Sequence, residues 1–572
     1  MRTPVAPIRA AYRIGEWTVD PDTCRMTRGD QCRPLRPKLT DLLLLLAHHA
    51  GEVLTKDQIL DHVWQTRFVS ESALTRNVAE LRQLLDDTVK PPRYVETIPK
   101  RGYRLVAEVS RLRAFVEPTL AVIPFENLNH APEEDYFADG MADAVITELG
   151  RISGLRVISR QSVLRYKGTR TGIADIGREL GVDAVVEGSA LHAGSRVRII
   201  VQLIQVEPEG HLWAESFDCE MTDVLSLQAR VARTVAEKVH GVLTPGDVSR
   251  LEREVRIDPD AHVAYLKARH LMWTWTQGNI ERGLEYVNEV LRKAPDFAPA
   301  YGVLADCLVT LGFWGFQPIQ RAYPPAKQAA LRALELDPSH AESRSALGMI
   351  LWHLDWDLDG AERELRRSIE LGPSNEVARL SLAMFLVLMR NAREEANEHA
   401  RIALALDPLS LPTNFGAAWF RLFTGEHQTA IHQARKTLEM YPHALHAHYV
   451  IGWASVAEGS PRKAVEAFKQ ALAFSRDPLS VGYLAVAHAR AGSRDAAQKL
   501  FDQMKSRRTG EEVPAFGLAM VASALGARDE AFEWLAVCLE QRDSRLFWLP
   551  VRPFFDGLRD DPRFDRFVRQ VK

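Results

Sequence analysis

Cysteine is scarce and scattered in this 572-residue sequence: Cys24, Cys32, Cys219, Cys307 and Cys538 form no CxxC pair and no even framework. That spacing excludes a disulfide scaffold and a four-cysteine zinc site, and it suits a reducing compartment. Long apolar runs are missing as well. The longest, LLLLLA at 42–47 and LSLAMFLVLM at 380–389, fall far short of the roughly 20 residues that cross a bilayer. The opening MRTPVAPIRAAY lacks the apolar core of a signal peptide. The expected location is therefore the cytoplasm, away from membranes. Also absent are GxxxxGK(S/T), GxGxxG, HExxH and GxSxG, the patterns that mark phosphate cradles, metal sites and nucleophile elbows. No catalytic residue, cofactor or metal is expected, and the chain reads as a non-enzyme.

The net charge of −3 hides an asymmetry. Residues 1–113 hold 19 Lys+Arg against 14 Asp+Glu, and the remainder holds 53 against 61. The basic excess is small, but it coincides with a distinctive hairpin, YVETIPKRGYRLV (94–106). Tyr94, Val95, Thr97 and Ile98 approach the tip Pro99-Lys100-Arg101-Gly102, and Tyr103, Leu105 and Val106 leave it. Glycine gives the backbone freedom that a tight reversal needs. Ahead of the hairpin come short strand-like pieces, with Arg28-Gly29-Asp30 as a turn, and then three helical segments. The first runs from Pro37 in its first turn to Gly51. The second opens with Thr55 and Gln58 at capping-box spacing. The third, SESALTRNVAELRQLLDD (70–87), has Ser70 as N-cap and a buried stripe of Leu74, Val78, Leu81 and Leu85. Its opposite face carries Ser72, Arg76, Ala79 and Gln83, flanked by Thr75 and Glu80. Such a helix fits a major groove, and a basic-tipped hairpin beside it reaches phosphates or the adjoining minor groove.

The succession W…(S/T)…LTRNVAELRQLLDD…YVETIPKRGYRL resembles the winged-helix output domain of OmpR/PhoB-type transcription factors, in the branch of CadC-like and HilA-like regulators. The resemblance covers residues 12–108 of a domain spanning 1–113. It implies that the helix around 71–86 is the recognition helix. Groove contacts would then fall on Arg76, Ala79, Glu80 and Gln83, with Ser72 and Thr75 on the same face. Phosphate contacts would fall on Thr97, Lys100 and Arg101, and the loop near 65–70 would touch RNA polymerase. Many such relatives carry arginines where Ala79 and Glu80 stand. A carboxylate can accept from a cytosine amino group or repel the backbone, so the base sequence is left open. Eleven residues ahead of the domain are too few for a receiver domain with its phosphoacceptor aspartate. Relatives bind repeated sites in tandem, which implies a dimer or higher assembly on DNA.

Residues 118–245 alternate strand and helix signals. TLAVIPF (119–125), LRVISR (155–160) and DAVVEGSALHAGSRVRIIVQLIQV read as strands, the last turning at His192-Ala193-Gly194-Ser195. MADAVITELG, IADIGRELG and residues 223–243 read as helices. VIPFENL, YFADGM, ELGVDAVVEGS and HLWAESF resemble the TolB-N/FlgO-like domain of bacterial repeat proteins. Glu133, Glu134, Asp135, Asp139 and Asp143 are expected to be solvated loop and first-turn charges, which the helix dipole favours.

From 258 to 572 the sequence repeats. Small residues recur at Gly283, Ala326, Ala361, Ala396, Ala430, Ala464, Ala497 and Ala531, with gaps of 43 and then 33–35 residues. Five residues before each stands Gly or a substitute (Gly278, Arg321, Trp356, Asn391, Gly425, Gly459, Gly492, Gly526), and in five cases Pro stands twelve after. This is the tetratricopeptide (TPR) pattern, and about eight helix pairs are expected to stack into a solenoid with a concave binding face. The 43-residue gap contains GFWGFQPIQRAYPP, a candidate contact loop rich in aromatics. DWDLDG (355–360) mimics a calcium loop, but Arg366 stands where the bidentate Glu belongs. Five histidines crowd 427–448 on several helix faces, a distribution unlike a metal site.

The fold class expected is thus multidomain: an N-terminal winged helix-turn-helix, a central α/β domain and a C-terminal all-α TPR solenoid. The leading function is a soluble transcription regulator that binds double-stranded promoter DNA and receives a protein, peptide or small ligand at the solenoid. The alternative is a TPR scaffold or chaperone-like protein with minor DNA binding, a reading that Glu80 favours. An enzyme related to nucleotide cyclases has only loose analogy behind it.

Overall fold

A computed structural model describes residues 12–571 apart from 21–24, 29–30, 65–70, 88–90, 100, 108, 112–117, 130–134, 241–246, 248–256, 273–275, 475–477, 508–513 and 552. Two compact units divide the chain at residue 117/118.

In the first unit, β1 (Tyr12–Ile14), β2 (Trp17–Asp20), β3 (Arg25–Arg28), β4 (Gln31–Pro34) and a late strand β8 (Val109–Arg111) form an antiparallel sheet ordered β4-β3-β2-β1-β8. Helix α1 (Pro37–His48) starts on its proline, whose missing N–H costs nothing in a first turn. A two-residue strand, β5 (Leu54–Thr55), leads into α2 (Lys56–Trp64). The capping box forms reciprocally: Gln58 N donates to Thr55 Oγ1 at 3.2 Å, and Thr55 N donates to Gln58 Oε1 at 2.9 Å. In α3 (Glu71–Leu84) and just after it, Leu74, Val78, Leu81 and Leu85 are all buried in one apolar core with Trp17, Leu39 and Leu43. Ser70, the N-cap expected there, lies outside the described residues.

The hairpin pairs β6 (Val95–Ile98) with β7 (Gly102–Leu105), and β5 pairs on the far edge of β7. Gly102 is obligatory for a packing reason. A Cβ there would lie 1.9 Å from the Leu54 carbonyl oxygen, inside the β5–β7 ladder.

The second unit opens with a mixed sheet. Strands β9 (Thr119–Val122), β10 (Glu126–Asn127), β11 (Arg156–Val157), β12 (Ala184–Ala193), β13 (Arg196–Gln205) and β14 (Gly210–Glu220) take the order β11-β9-β12-β13-β14, with β10 beside β12. The expected hairpin turns at Gly194, whose φ is +63°. Strand β14 escapes a periodicity search because it is an edge strand, with Phe217 alone fully buried along it. Helices α4 (Asp135–Gly150), α5 (Arg160–Val163), α6 (Ile173–Leu180) and α7 (Val224–His240) complete the region.

Paired helices come next, from Pro259–Met272 with Gln277–Lys293 to Ala515–Leu525 with Arg528–Glu540. Each small residue of the repeat is buried where paired helices pack. Six of the eight positions five residues earlier adopt positive φ: Trp356, Asn391, Gly425, Gly459, Gly492 and Gly526. The left-handed turn ends one helix and aims the next. Trp356 and Asn391 accept that conformation although neither is glycine, each coming after a widened last helical turn, Leu351–Asp355 and Leu386–Arg390. Gly278 and Arg321 instead sit inside helices, Gly278 in the first turn of Gln277–Lys293 and Arg321 in Ile319–Leu336, which the inserted segment begins. Phe313 and Phe316 of that insertion are exposed, whereas Tyr323 is fully buried. In the calcium-like segment Asp355 pairs with Lys327, Asp359 with Arg390, and Asp357 caps a helix by accepting from Gly360 N at 2.9 Å.

Two expectations are corrected here. First, Asp139 and Asp143 are not solvated. They are buried: Asp143 meets Arg269 of the first paired helix at 2.8 Å, and Asp139 meets Lys167, between α5 and α6, at 2.9 Å. Asp135 also pairs with Lys167, while Glu133 and Glu134 lie outside the described residues. A one-dimensional pattern cannot show that α4 packs on the solenoid. Second, part of the solenoid's helical surface is covered by the protein itself. The chain's own segment after residue 543 lies on it, with Phe547 against Trp356, Trp548 against Trp419 and Phe554 against Trp453 at ring separations of 5.2, 5.4 and 4.6 Å. Burying these rings removes apolar area that a bare helical surface would expose.

Of the five crowded histidines, His446 is enclosed by Trp314, Phe415 and Tyr449. Burial pushes its pKa down to about 4. The unfolded chain takes up a proton near pH 6.5, so the stabilisation is intact above that pH and is lost as pH falls towards 4. His446→Phe should therefore gain about 2 kcal/mol of stability relative to the natural chain between pH 7 and pH 5. Paired denaturation curves at the two pH values check this, and a pH-independent difference would refute it.

Candidate nucleic-acid interface

Helix α3 directs its polar face outward: Ser72, Thr75, Arg76, Ala79 and Gln83 are exposed. Its C-terminal end is clamped from the β-sheet. Arg33 Nη1 donates to the Leu84 carbonyl at 2.6 Å, and Trp17 Nε1 to the Leu85 carbonyl at 3.3 Å. Arg28 and Arg33 stack over the Trp17 ring at 4.4 and 4.8 Å and both pair with Asp86. These cations sit where the helix dipole is negative. Hydrogen bonds from Arg33 and then Arg28 hold the Asp86 carboxyl below the usual carboxylate range.

The wing is fastened to the helix by two side chains that the sequence pattern does not single out. Arg82, half-buried on the flank of α3, donates to the Val95 carbonyl from Nε at 3.0 Å and from Nη2 at 2.7 Å. Its Nη2 also donates to Thr97 Oγ1 at 2.7 Å. Asp87, buried just past the helix, accepts from the backbone N–H of Arg93, Tyr94 and Val95 at 2.6–3.1 Å. One carboxylate thus supplies acceptors to three consecutive donors entering β6. The doubled aspartate of QLLDD is the one available clue, since a second Asp after a left-handed Asp86 is placed to cap the next stretch of backbone. Arg82 leaves no signal, because its main acceptor is a backbone carbonyl.

The expected contact residues are thereby distributed over one surface. Arg101 is exposed at the tip, Thr97 is exposed on β6 and already accepts from Arg82, and Lys100 lies outside the described residues. Glu80 is half-buried and ion-paired with Arg36. Its charge is therefore offset within the domain, and its carboxylate is engaged before any base arrives. Glu96 and Arg104 pair across the wing at 2.6 Å. The loop 65–70, expected to meet RNA polymerase, is outside the described residues.

Residues 30–105, which carry this geometry, match the family model described as "Transcriptional regulatory protein, C terminal". The first unit is an OmpR/PhoB-type winged-helix DNA-binding domain. Residues 116–234 match "HilA/YgeH-like transcriptional regulator, second domain", and 415–481 match "Tetratricopeptide repeat". Over 336 residues the chain is 24% identical to the transcriptional regulator HilA of Salmonella typhimurium, covering 57% of this chain and 58% of HilA. Over 194 residues it is 36% identical to a Rhizobium meliloti protein named "Putative adenylate cyclase 3", covering 34% of this chain and 33% of that one. The solved DNA-binding domain of E. coli CadC is 38% identical, with 18% of this chain and 97% of that chain covered and a TM-score of 0.17. The chain spans about a third and somewhat over half of the lengths of the Rhizobium and Salmonella relatives.

Two substitutions test the winged-helix domain. Asp87→Ala strands three N–H groups and should destabilise the domain by about 3 kcal/mol, at roughly 1 kcal/mol per lost bond, read from its unfolding midpoint. Arg36→Ala exposes the Glu80 charge and should weaken DNA binding about three- to tenfold, with Glu80→Ala in the same background restoring it. Equal affinity of all three proteins would refute the offsetting role of Arg36.

Proposed function

We propose that the protein is a transcription regulator that binds promoter DNA through its winged helix and receives a signal through residues 118–572. The reading rests on the joining of the α3 outer face to the wing by Arg82 within an OmpR/PhoB-type domain. Groove contacts fall to Ser72, Thr75, Arg76, Ala79 and Gln83, with Glu80 acting only where Arg36 releases it. Phosphate contacts fall to Thr97, Lys100 and Arg101. The loop near 65–70 meets RNA polymerase, and two or more copies occupy repeated half-sites. The regulator acts in the cytoplasm. In support of that location, no helix among the described residues is long and apolar enough to cross a membrane.

The scaffold reading draws on the negative charge of Glu80, and the Arg36 pair removes much of that motive. A cyclase reading draws on the name of the Rhizobium relative. Incubation with ATP, scored for cyclic product, tests it; the regulator reading expects none.

The test of DNA binding is mobility shift on the region upstream of the chain's own gene. Lys100→Ala/Arg101→Ala should weaken binding to all sequences and lower the slope of log K against log[salt] by about 2. Arg76→Ala should cost about 1–3 kcal/mol on the preferred site and relax base preference. A wing variant with an unchanged shift and salt slope overturns the assignment.

A further inference from the structure

Residues 543–558 do not continue the helix pairs. They form two short 3-10 turns, Ser544–Trp548 and Asp556–Leu558, and their backbone bonds are local: Leu549 N donates to the Leu546 carbonyl at 3.0 Å and Val551 N to the Trp548 carbonyl at 2.9 Å. The end of a solenoid needs a cap, and a later element supplies it. Helix Pro562–Val571 packs on Arg528–Glu540 through Phe567 on Phe532 at 5.6 Å and Arg563 beside Asp529 at 2.8 Å. Residues 543–558 turn back over earlier pairs instead. Just ahead of them, Gln320 Nε2 donates to the Gln541 carbonyl, 221 residues away, at 3.0 Å.

The contacts of this segment follow the first helices of the pairs, which line up on one face of a stacked solenoid. Phe547 sits against Trp352 and His353 at 6.1 and 6.4 Å, at the end of Ala341–Ile350. Trp548 and Phe554 share Trp419 and Phe423 of Leu411–Phe423, and Phe554 adds Trp453 of Leu445–Ala457. Phe555 meets Phe516 of Ala515–Leu525 at 5.4 Å. A path that crosses successive helices on aromatic anchors is the path of a bound peptide. The fit is incomplete on its polar side. Nε1 of Trp352, Trp356 and Trp453, both ring nitrogens of His353 and Oγ of Ser523 are buried with no hydrogen-bond partner among the described residues. They lie where the segment covers the helices: Phe547 is 5.2 Å from Trp356, and a Cβ on Gly557 would stand 3.2 Å from Ser523 Oγ. Phenyl rings offer these N–H groups no strong acceptor, and a buried donor left unmatched is costly.

We infer that this face is a binding site for an extended, aromatic-rich segment of another protein, and that residues 543–558 occupy it as an autoinhibitory strap. The inference deepens, and for its biological meaning rests on, the reading of residues 118–572 as the signal-receiving region. The partner segment shares with DSRLFWLPVRPFFDGL (543–558) its two pairs of neighbouring aromatic residues. It differs in bringing carbonyl or carboxylate oxygens to the three indole N–H groups that the strap leaves unmatched. Those bonds let it compete with an occupant that is tethered, and whose effective concentration is therefore on the order of millimolar.

The experiment uses the full chain, without DNA, and a fluorescent synthetic peptide of residues 543–558 followed by anisotropy. On the natural chain the tethered strap should keep peptide binding weak. Phe547→Ala/Phe554→Ala in the chain removes two anchors of the strap and should tighten peptide binding at least tenfold. Adding Trp356→Ala/Trp453→Ala to that variant should reverse the gain, and a peptide with alanine at its four aromatic positions should not bind. Hydrogen exchange of the natural chain is the second measurement, and it decides alone should a variant fail to fold. The amides of Leu549 and Val551, bonded within the strap, should exchange at least tenfold faster than those of Leu411–Phe423 and Leu445–Ala457, and faster again with excess peptide. Exchange of strap and helices at one rate, no acceleration by the peptide, or a folded Phe547→Ala/Phe554→Ala chain that binds the peptide no tighter overturns the inference. Peptide binding as expected in a chain that fails to shift DNA would overturn the regulator reading instead.

Discussion

A groove-reading helix is useful only if the element that grips the flanking phosphates keeps a fixed distance and angle from it. In the winged-helix domain that constraint falls on two side chains. Arg82 spans from α3 to the β6 carbonyl and hydroxyl, and Asp87 gathers the three N–H groups that would otherwise open the entry to β6. Both bonds join charged side chains to the wing, and both are shielded from water on at least one side, which strengthens them relative to exposed pairs. The exposed residues of α3 and Arg101 therefore belong to one rigid surface. The same domain disposes of its awkward charges internally: Asp86 with Arg28 and Arg33, Glu80 with Arg36, and Glu96 with Arg104.

In the second unit the solenoid offers part of its helical surface to its own chain. Towards the C-terminus that surface is covered by aromatic residues after Asp543, and towards the N-terminus it is approached by the α/β region. Between α4 and the first helices of the solenoid a partly open cavity of about 740 Å³ remains.

Much of this was legible along the chain. The stripe Leu74, Val78, Leu81 and Leu85, the capping pair Thr55 and Gln58, the reversal at Gly102 and the repeat of buried alanines from Ala326 to Ala531 all appear where short-range spacing puts them. Other features were hidden for definite reasons. Strand β14 is an edge strand with little apolar alternation. Arg82 binds a carbonyl, a group that every residue possesses. Asp139 and Asp143 look like ordinary first-turn acids until Lys167 and Arg269 are brought to them.

The three kinds of architecture, the outward face of α3 and the period of the solenoid are written in the order of residues alone. They come from spacings of two, three, four and about thirty-four residues, each set by local backbone geometry. Only the packed molecule reveals that Glu80 pairs with Arg36, that Asp407 is fastened to Ser162 some 245 residues away, and that Asp143 is buried against Arg269. Such outcomes depend on which charges the packed elements bring within a few ångströms and on how much water is left between them, and neither quantity is encoded at any fixed spacing.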